Sequence, residues 1–324
     1  MTALLLGLPV LCRAETVRDS GKPVIGISWR EDTDSEFFIN ICKAIEEAGG
    51  SWILLDQVQS ADLQYDGEGH LTQGVTPLGS LDTASAKSVR LYSWYDSNAE
   101  EAVKDVELVL FTGGEDVSPS LYFDPELWHG VVEEIDYNAE KDVSDYLTMS
   151  YCLDHDIPVL GFCRGMQMLA VVSGAEIIQD IPAYFSEQGL KYNYELCNRQ
   201  TDPDSYCDYA SPDVQVVPDS FLCDMSDSDA LIGCPSWHHQ AVKNVDGTRL
   251  RVTGTTEIDG IPMIQAIERT DKTFAVGLQF HPEAALVKHL DGAANRDDFM
   301  SFETALSFFE WLVQERYLEL EEAA

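Results

Sequence analysis

The segment Ile157-Pro158-Val159-Leu160-Gly161-Phe162-Cys163-Arg164-Gly165 restricts the fold more than any other part of the chain. An apolar run of the kind buried on both faces of a parallel sheet breaks, without a linker, into the helical run 166–172. A strand that turns directly into a helix is the joint of a βαβ unit. The same alternation recurs along the chain. Pro23-Val24-Ile25-Gly26-Ile27-Ser28 reads as a buried strand, 37–48 has helical periodicity and stops at Gly49-Gly50, and Ser51-Trp52-Ile53-Leu54-Leu55 reads as the next strand. Further on, 107–111 reads as a strand running into Thr112-Gly113-Gly114, and 138–155 as a helix with Val143, Leu147, Tyr151 and Cys152 on one face. Two β-like segments (249–252 and 263–267), a strand over 274–280 and an amphipathic helix over 302–318 complete the pattern.

Two stretches interrupt it. Residues 59–103 are polar and without sustained apolar period, which predicts that most of the segment is an inserted surface loop; residues 184–235 form a second irregular, acidic insert. No repeat or dividing linker is found, so 22–324 is expected to form one α/β domain after a leader over 1–21. That leader has a short apolar run from Ala3 to Leu11 but no basic segment before it, and we read it as a disordered start on a cytoplasmic protein, export being the lesser alternative.

Charge narrows the class of partner. The 57 acidic and 20 basic residues of this 324-residue chain leave a net charge of -37, which repels nucleic acid and anionic lipid, so neither is expected as a partner. The eight cysteines (12, 42, 152, 163, 197, 207, 223 and 234) form no CxxC pair and no metal-ligand spacing, so no metal is expected. Export would open the way to a disulfide among Cys197, Cys207, Cys223 and Cys234.

The cysteine at the break has chemical potential. At a helix N-terminus the dipole and free N–H groups favour an anion, here the thiolate that attacks carbonyls. Gly161 and Gly165 stand two residues to either side, the spacing of small residues that lets a strained elbow project a nucleophile. On this local pattern alone, an ordinary buried cysteine fits equally well. A nucleophile also needs a base and oxyanion donors. His281 ends a predicted strand, and Glu283, two residues on past Pro282, can point the same way and hold the imidazole. Gly113 and Gly114 taken singly read as a simple tight turn, but they also allow close approach of backbone N–H groups, and given the elbow the donors predicted are the N–H groups of Gly114 and Arg164.

Phe-Thr-Gly-Gly-Glu-Asp-Val-Ser-Pro-Ser-Leu-Tyr (111–122), Gly-Phe-Cys-Arg-Gly-Met-Gln-Met-Leu (161–169), Ser-Trp-His-His-Gln-Ala-Val (236–242) and Leu-Gln-Phe-His-Pro-Glu (278–283) together resemble the peptidase C26 branch of class I glutamine amidotransferase-like proteins. Within it, the γ-glutamyl hydrolase group, and the bacterial γ-glutamyl-γ-aminobutyrate hydrolases, look most similar. The resemblance implies a flavodoxin-like α/β fold with a mostly parallel central sheet, helices on both faces and irregular inserts. It implies Cys163 as nucleophile, His281 and Glu283 as its partners, Gly114 and Arg164 at the oxyanion hole, and Gly113, Gln167 and His238 near substrate. It also implies a small γ-glutamyl substrate, a thioester intermediate, a place in putrescine catabolism and no cofactor, with a homo-oligomer left open. His239 reads equally as a structural neighbour, and Gln167 as a cap or pocket wall. Two departures are Phe280, where a Trp is usual, and Pro235-Ser236-Trp237 before the paired histidines. The rival readings are a glutaminase subunit that feeds ammonia to a synthase and an idle binding protein of the same fold.

Overall fold

A computed structural model describes residues 23–125, 130, 135–192, 196 and 208–314. The elements in chain order are β1 (Val24–Ile27), α1 (Glu36–Glu47), β2 (Ser51–Leu54), α2 (Thr83–Tyr92), α3 (Ala99–Val103), β3 (Leu108–Phe111), α4 (Ala139–Asp154), β4 (Val159–Phe162), α5 (Arg164–Val172), β5 (Glu176–Ile178) and α6 (Ile181–Glu187). They continue with β6 (Val214–Val216), α7 (Phe221–Ser226), β7 (Ala230–Leu231), β8 (Ala241–Asn244), β9 (Leu250–Ile258), β10 (Ile261–Arg269), β11 (Ala275–Leu278), α8 (Pro282–Leu290) and α9 (Phe302–Val313). The longer helices start where a short polar side chain caps a free N–H: Ser35 for Phe38, Asn138 for Lys141 and Ser301 for Thr304.

A nine-stranded sheet in the order β2-β1-β3-β4-β11-β10-β9-β6-β7 forms the centre. Every pairing from β2 to β11 is parallel, and those from β11 outward are antiparallel. The parallel strands are apolar on both faces because helices cover both. On one face Ile25, Ile27, Leu108, Leu110, Leu160, Phe162, Val276 and Leu278 meet α1, α8 and α9, including Ile41, Ile45, Leu286, Phe308 and Phe309. On the other, Val109, Phe111, Val159 and Ala275 meet α2, α4 and α5. Each such Leu, Ile or Phe removed from water contributes about 1.5–3 kcal/mol. The α/β class with a mostly parallel core and helices on both faces is as expected; the antiparallel extension was not foreseen beyond two β-like segments, which pair as the β9–β10 hairpin.

Three expectations require correction. Residues 59–103 are not a surface loop throughout. They hold α2 and α3, whose Ala86, Val89, Ala99 and Val103 are buried in one core cluster with residues of α4. Their few apolar residues are spaced too widely to show a period. The second insert contributes β6, α7 and β7 to the sheet and core, and its helix α7 buries Leu222 and Met225. Finally, α4 is not amphipathic: it is buried on all sides, Lys141, Asp142 and Asp145 included, because α2, α3, α5 and β4 surround it. The leader, Cys12, Cys197 and Cys207 lie outside the described residues. Cys42, Cys152, Cys163, Cys223 and Cys234 are free thiols. Among the described residues no helix is long and apolar enough to cross a membrane.

Candidate active site

The carboxyl ends of neighbouring strands β1, β3, β4 and β11 point to one side of the sheet, where open α/β sheets form their binding crevice. At the end of β4, Cys163 occupies the N-cap of α5 with φ 49° and ψ −105°. Few non-glycine residues adopt such a backbone, and here it is held from several directions. The Cys163 N–H donates to the Leu278 carbonyl at 2.7 Å. A Cβ on Gly161 would meet the Gly165 carbonyl carbon at 2.4 Å, and one on Gly165 would meet the Phe111 oxygen at 2.5 Å. Both glycines are therefore needed so that β3, β4 and α5 can close around the turn. Cys163 is 6% exposed, with its sulfur 3.8 Å from the Trp237 carbonyl.

His281 follows β11 at the N-cap position of α8, with Glu283 in that helix's first turn. The His281 Nδ1 donates to Glu283 Oε1 at 2.6 Å, and both residues are about 1% exposed. Burial opposes a charge on this imidazole, but the negative charges of Glu283 and of the Cys163 sulfur outweigh it and push the His281 pKa up to about 10. The other ring nitrogen, Nε2, lies on the Cys163 side of the ring and has no aligned hydrogen bond among the described residues. A Cβ placed on Gly113 would stand 3.6 Å from both Cys163 Cβ and His281 Nε2, and 2.8 Å from His281 Cε1. Gly113 thus lies in the angle between sulfur and imidazole, where a side chain has no room.

Gly114, with φ 154°, crosses over the side chains of Arg164 and Lys141, each 3.6 Å from where its Cβ would be. Arg164 opens α5, where backbone N–H groups have no acceptor within the helix, and its side chain packs against Gly114. Below, a buried ionic cluster supports both backbones. Arg164 pairs with Asp142 at 2.6 Å and with Asp145, and Lys141 pairs with Asp145 at 3.1 Å and donates to the Trp29 carbonyl at 2.9 Å. Burial opposes the Arg164 charge, but Asp145 and Asp142 hold its guanidinium charged. Asp142 also accepts from the Ser118 N–H, and Arg30, clamped by Asp32, donates to Thr112 Oγ1 at 3.1 Å. The chain from 112 to 118 is therefore pinned at both ends.

The paired histidines divide their tasks. His239 stands between Asp116 at 2.8 Å and Asp180 at 3.1 Å, tying the loop after β3 to the start of α6. His238 is buried, and its Nδ1 donates to the Gln240 carbonyl at 2.8 Å. Burial, with the neighbouring charges of His281 and His239, lowers its pKa to about 3, so it is neutral and Nε2 carries a lone pair with no partner among the described residues. Gln167 is buried, its amide nitrogen 3.1 Å from the Gln240 carbonyl and 3.4 Å from Gln279 Oε1, which turns that nitrogen toward the interior.

Cys163, His281, Glu283, Gly113, Gly114 and Arg164 are thus brought together, with His238 beside them. The structure adds Arg30, Lys141, Asp142 and Asp145 beneath, Phe37 and Tyr209 against the imidazole, and Trp237 edge-on to Tyr209, none of which stood out in the sequence as site residues. The i, i+4 pair Lys141 and Asp145 was the only signal of the cluster, and on a helix such pairs are usually solvated. A cysteine sulfur beside an imidazole whose charge Glu283 favours is a pairing with the chemistry to attack an acyl carbon and protonate what leaves.

Residues 78–283 match the model of the Peptidase C26 family. The chain belongs to the peptidase C26 family. Among relatives, Protein NtpR of Enterococcus hirae is 30% identical over 210 residues, which is 64% of this chain and 74% of that protein. A putative glutamine amidotransferase-like protein of Rickettsia prowazekii is 29% identical over 205 residues, 54% of this chain and 69% of the relative. Gamma-glutamyl-gamma-aminobutyrate hydrolase PuuD of Escherichia coli is 29% identical over 162 residues, 49% of this chain and 59% of that enzyme. All four motifs of this C26 chain converge on the crevice described above: 111–122 and 278–283 flank Cys163 from β3 and β11, and 236–242 closes one side. Membership makes the chain a glutamine amidotransferase-like hydrolase.

Proposed function

We propose that this C26 protein hydrolyses small γ-glutamyl amides through Cys163, His281 and Glu283. The observation that carries the reading is the line from sulfur to imidazole to carboxylate, with its 2.6 Å Nδ1–Oε1 bond, at the carboxyl edge of three adjacent parallel strands. In the first half-reaction the Cys163 sulfur attacks the γ-carbonyl carbon and a C–S bond forms. The negative charge that gathers on the oxygen is met by the Gly114 and Arg164 N–H groups. As the C–N bond breaks, His281 gives its proton from Nε2 to the departing amine. In the second, water attacks the γ-glutamyl thioester, His281 takes a proton from it, the C–S bond breaks, and glutamate leaves. Glu283 keeps Nδ1 protonated and the ring in place. The neutral His238 offers an acceptor lone pair to an N–H of the substrate. The Escherichia coli relative is named for hydrolysis of a small γ-glutamyl compound, which supports that substrate class.

The test is a panel of γ-glutamyl amides, with glutamate and amine detected by mass, run on the protein and on Cys163→Ala. Turnover should fall by roughly 10⁴-fold or more in the variant, as on removal of other catalytic nucleophiles. Near-native turnover by Cys163→Ala would overturn the scheme.

A further inference from the structure

The mechanism above locates the leaving group. Because His281 protonates the departing nitrogen, that nitrogen must stand beside the imidazole, and whatever flanks the ring toward solvent flanks the rest of the amine. Two aromatic rings flank the imidazole, and a third extends them. Phe37 and Tyr209 lie 5.5 and 5.4 Å from the His281 ring, centroid to centroid, and Trp237 stands edge-on to Tyr209 at 5.7 Å. Phe37 and Tyr209 are half-buried, while Trp237 is 40% exposed, so the wall continues from the imidazole out to solvent.

Acidic residues accompany the rings. Glu36, exposed in the first turn of α1, precedes Phe37, and its charge reaches Tyr209. Asp208 precedes Tyr209 and is bonded to Lys288 at 2.8 Å and Asn295 at 2.5 Å. The basic groups described on this side have carboxylate partners: Lys288 with Asp208, and Arg30 with Asp32. The chain as a whole carries −37. Ring faces carry partial negative charge and attract cations, and a carboxylate at their edge strengthens that attraction. An anionic tail meets the opposite: no free cation among these groups and a repelling field.

We propose that the leaving-group side of this site takes a cationic amine, so that the preferred substrates are γ-glutamyl amides of diamines or polyamines, with the distal ammonium held by the Tyr209–Trp237 wall and Glu36. This rests on the γ-glutamyl hydrolase reading and deepens it. It selects against a carboxylate-ended amine such as γ-aminobutyrate. The reaction is the same hydrolysis, giving glutamate and the free amine, so no further reactant is required.

The experiment compares kcat/KM for three matched amides, those of putrescine, N-acetylputrescine and γ-aminobutyrate, with glutamine as the tail-less reference. The putrescine amide should exceed the γ-aminobutyrate amide by about tenfold, with the neutral amide between them. The ratio should shrink as sodium chloride rises toward 1 M, because exposed charges are screened there. It should also shrink in Glu36→Gln and in Trp237→Leu; it is read within each variant, so a general loss of activity cancels. Equal rates, or preference for the γ-aminobutyrate amide, overturn the inference while leaving the hydrolase reading intact. Failure to cleave any of the amides or glutamine overturns the hydrolase reading, and the inference falls with it.

Discussion

Glu283 and Cys163 act on His281 from its two nitrogens, and the pH behaviour of the site follows from that. The folded pKa of about 10 lies above the ordinary 6.5, so the imidazolium is kept through neutral pH, and its contribution to stability is complete below about 6.5 and lost as pH rises through about 10. We predict that kcat/KM falls on the alkaline side with a midpoint near 10. In Glu283→Gln the imidazolium loses its largest stabilising charge, so this limb should move to lower pH; an unmoved limb would mean that Glu283 does not set it. The thiols should differ in reactivity. Burial, aided by the charge of Glu46, pushes Cys42 up to about 12, and burial raises Cys152 and Cys234 further. Iodoacetamide at neutral pH, mapped by peptide mass, should therefore modify Cys163 well before Cys42, Cys152 or Cys234. Gly113→Ala is a sharper probe of geometry, since its methyl would press on His281 Cε1 at 2.8 Å. A ring displaced by a fraction of an ångström to an ångström should cost up to roughly 10²-fold in kcat. Thermal unfolding should show little change.

At the scale of elements, the elbow between β4 and α5 couples stability to function. The strained Cys163 backbone persists because β3, β11 and α5 over-determine it, and the glycines on either side allow that contact. In Gly165→Ala the new methyl would meet backbone, the Phe111 oxygen at 2.5 Å, so neither side can yield cheaply. Overpacking of this kind should lower unfolding stability by about 1–3 kcal/mol or more, measurable by urea titration. The buried cluster on α4 predicts a second loss. Lys141→Met removes one cation from a dry pairing with Asp145 and from the Trp29 carbonyl, and an unbalanced buried charge costs about 3–5 kcal/mol. Because Gly114 rests on Lys141 Cε, this variant should also lose kcat, whereas a purely structural cluster would lower stability and leave kcat of the folded fraction unchanged.

Across the whole molecule, a net charge of −37 means that folding gathers like charges. Raising sodium chloride from about 0.05 to about 1 M shortens the screening length to about 3 Å, so the urea midpoint should rise with salt. The parallel half of the sheet was legible from residue order alone, because its strands are continuous apolar runs and each is followed by a glycine-bounded turn or a periodic helix. The candidate site was legible in part for the same reason: Cys163, His281, Glu283, Gly113 and Gly114 all sit at the ends of those runs, where the chain must turn. Helices α2 and α3 and the short strands β6 and β7 were not, since short elements with one or two buried residues carry too little periodicity to stand out. What the sequence determined by itself is which residues end the parallel strands, because strand and helix periods are local properties. Only tertiary packing decided that Lys141 and Asp145 are buried beneath Gly114 and that Phe37 and Tyr209 flank one imidazole, with Trp237 against Tyr209. Those groups come from distant segments, and their burial and mutual distance exist only once the sheet has closed.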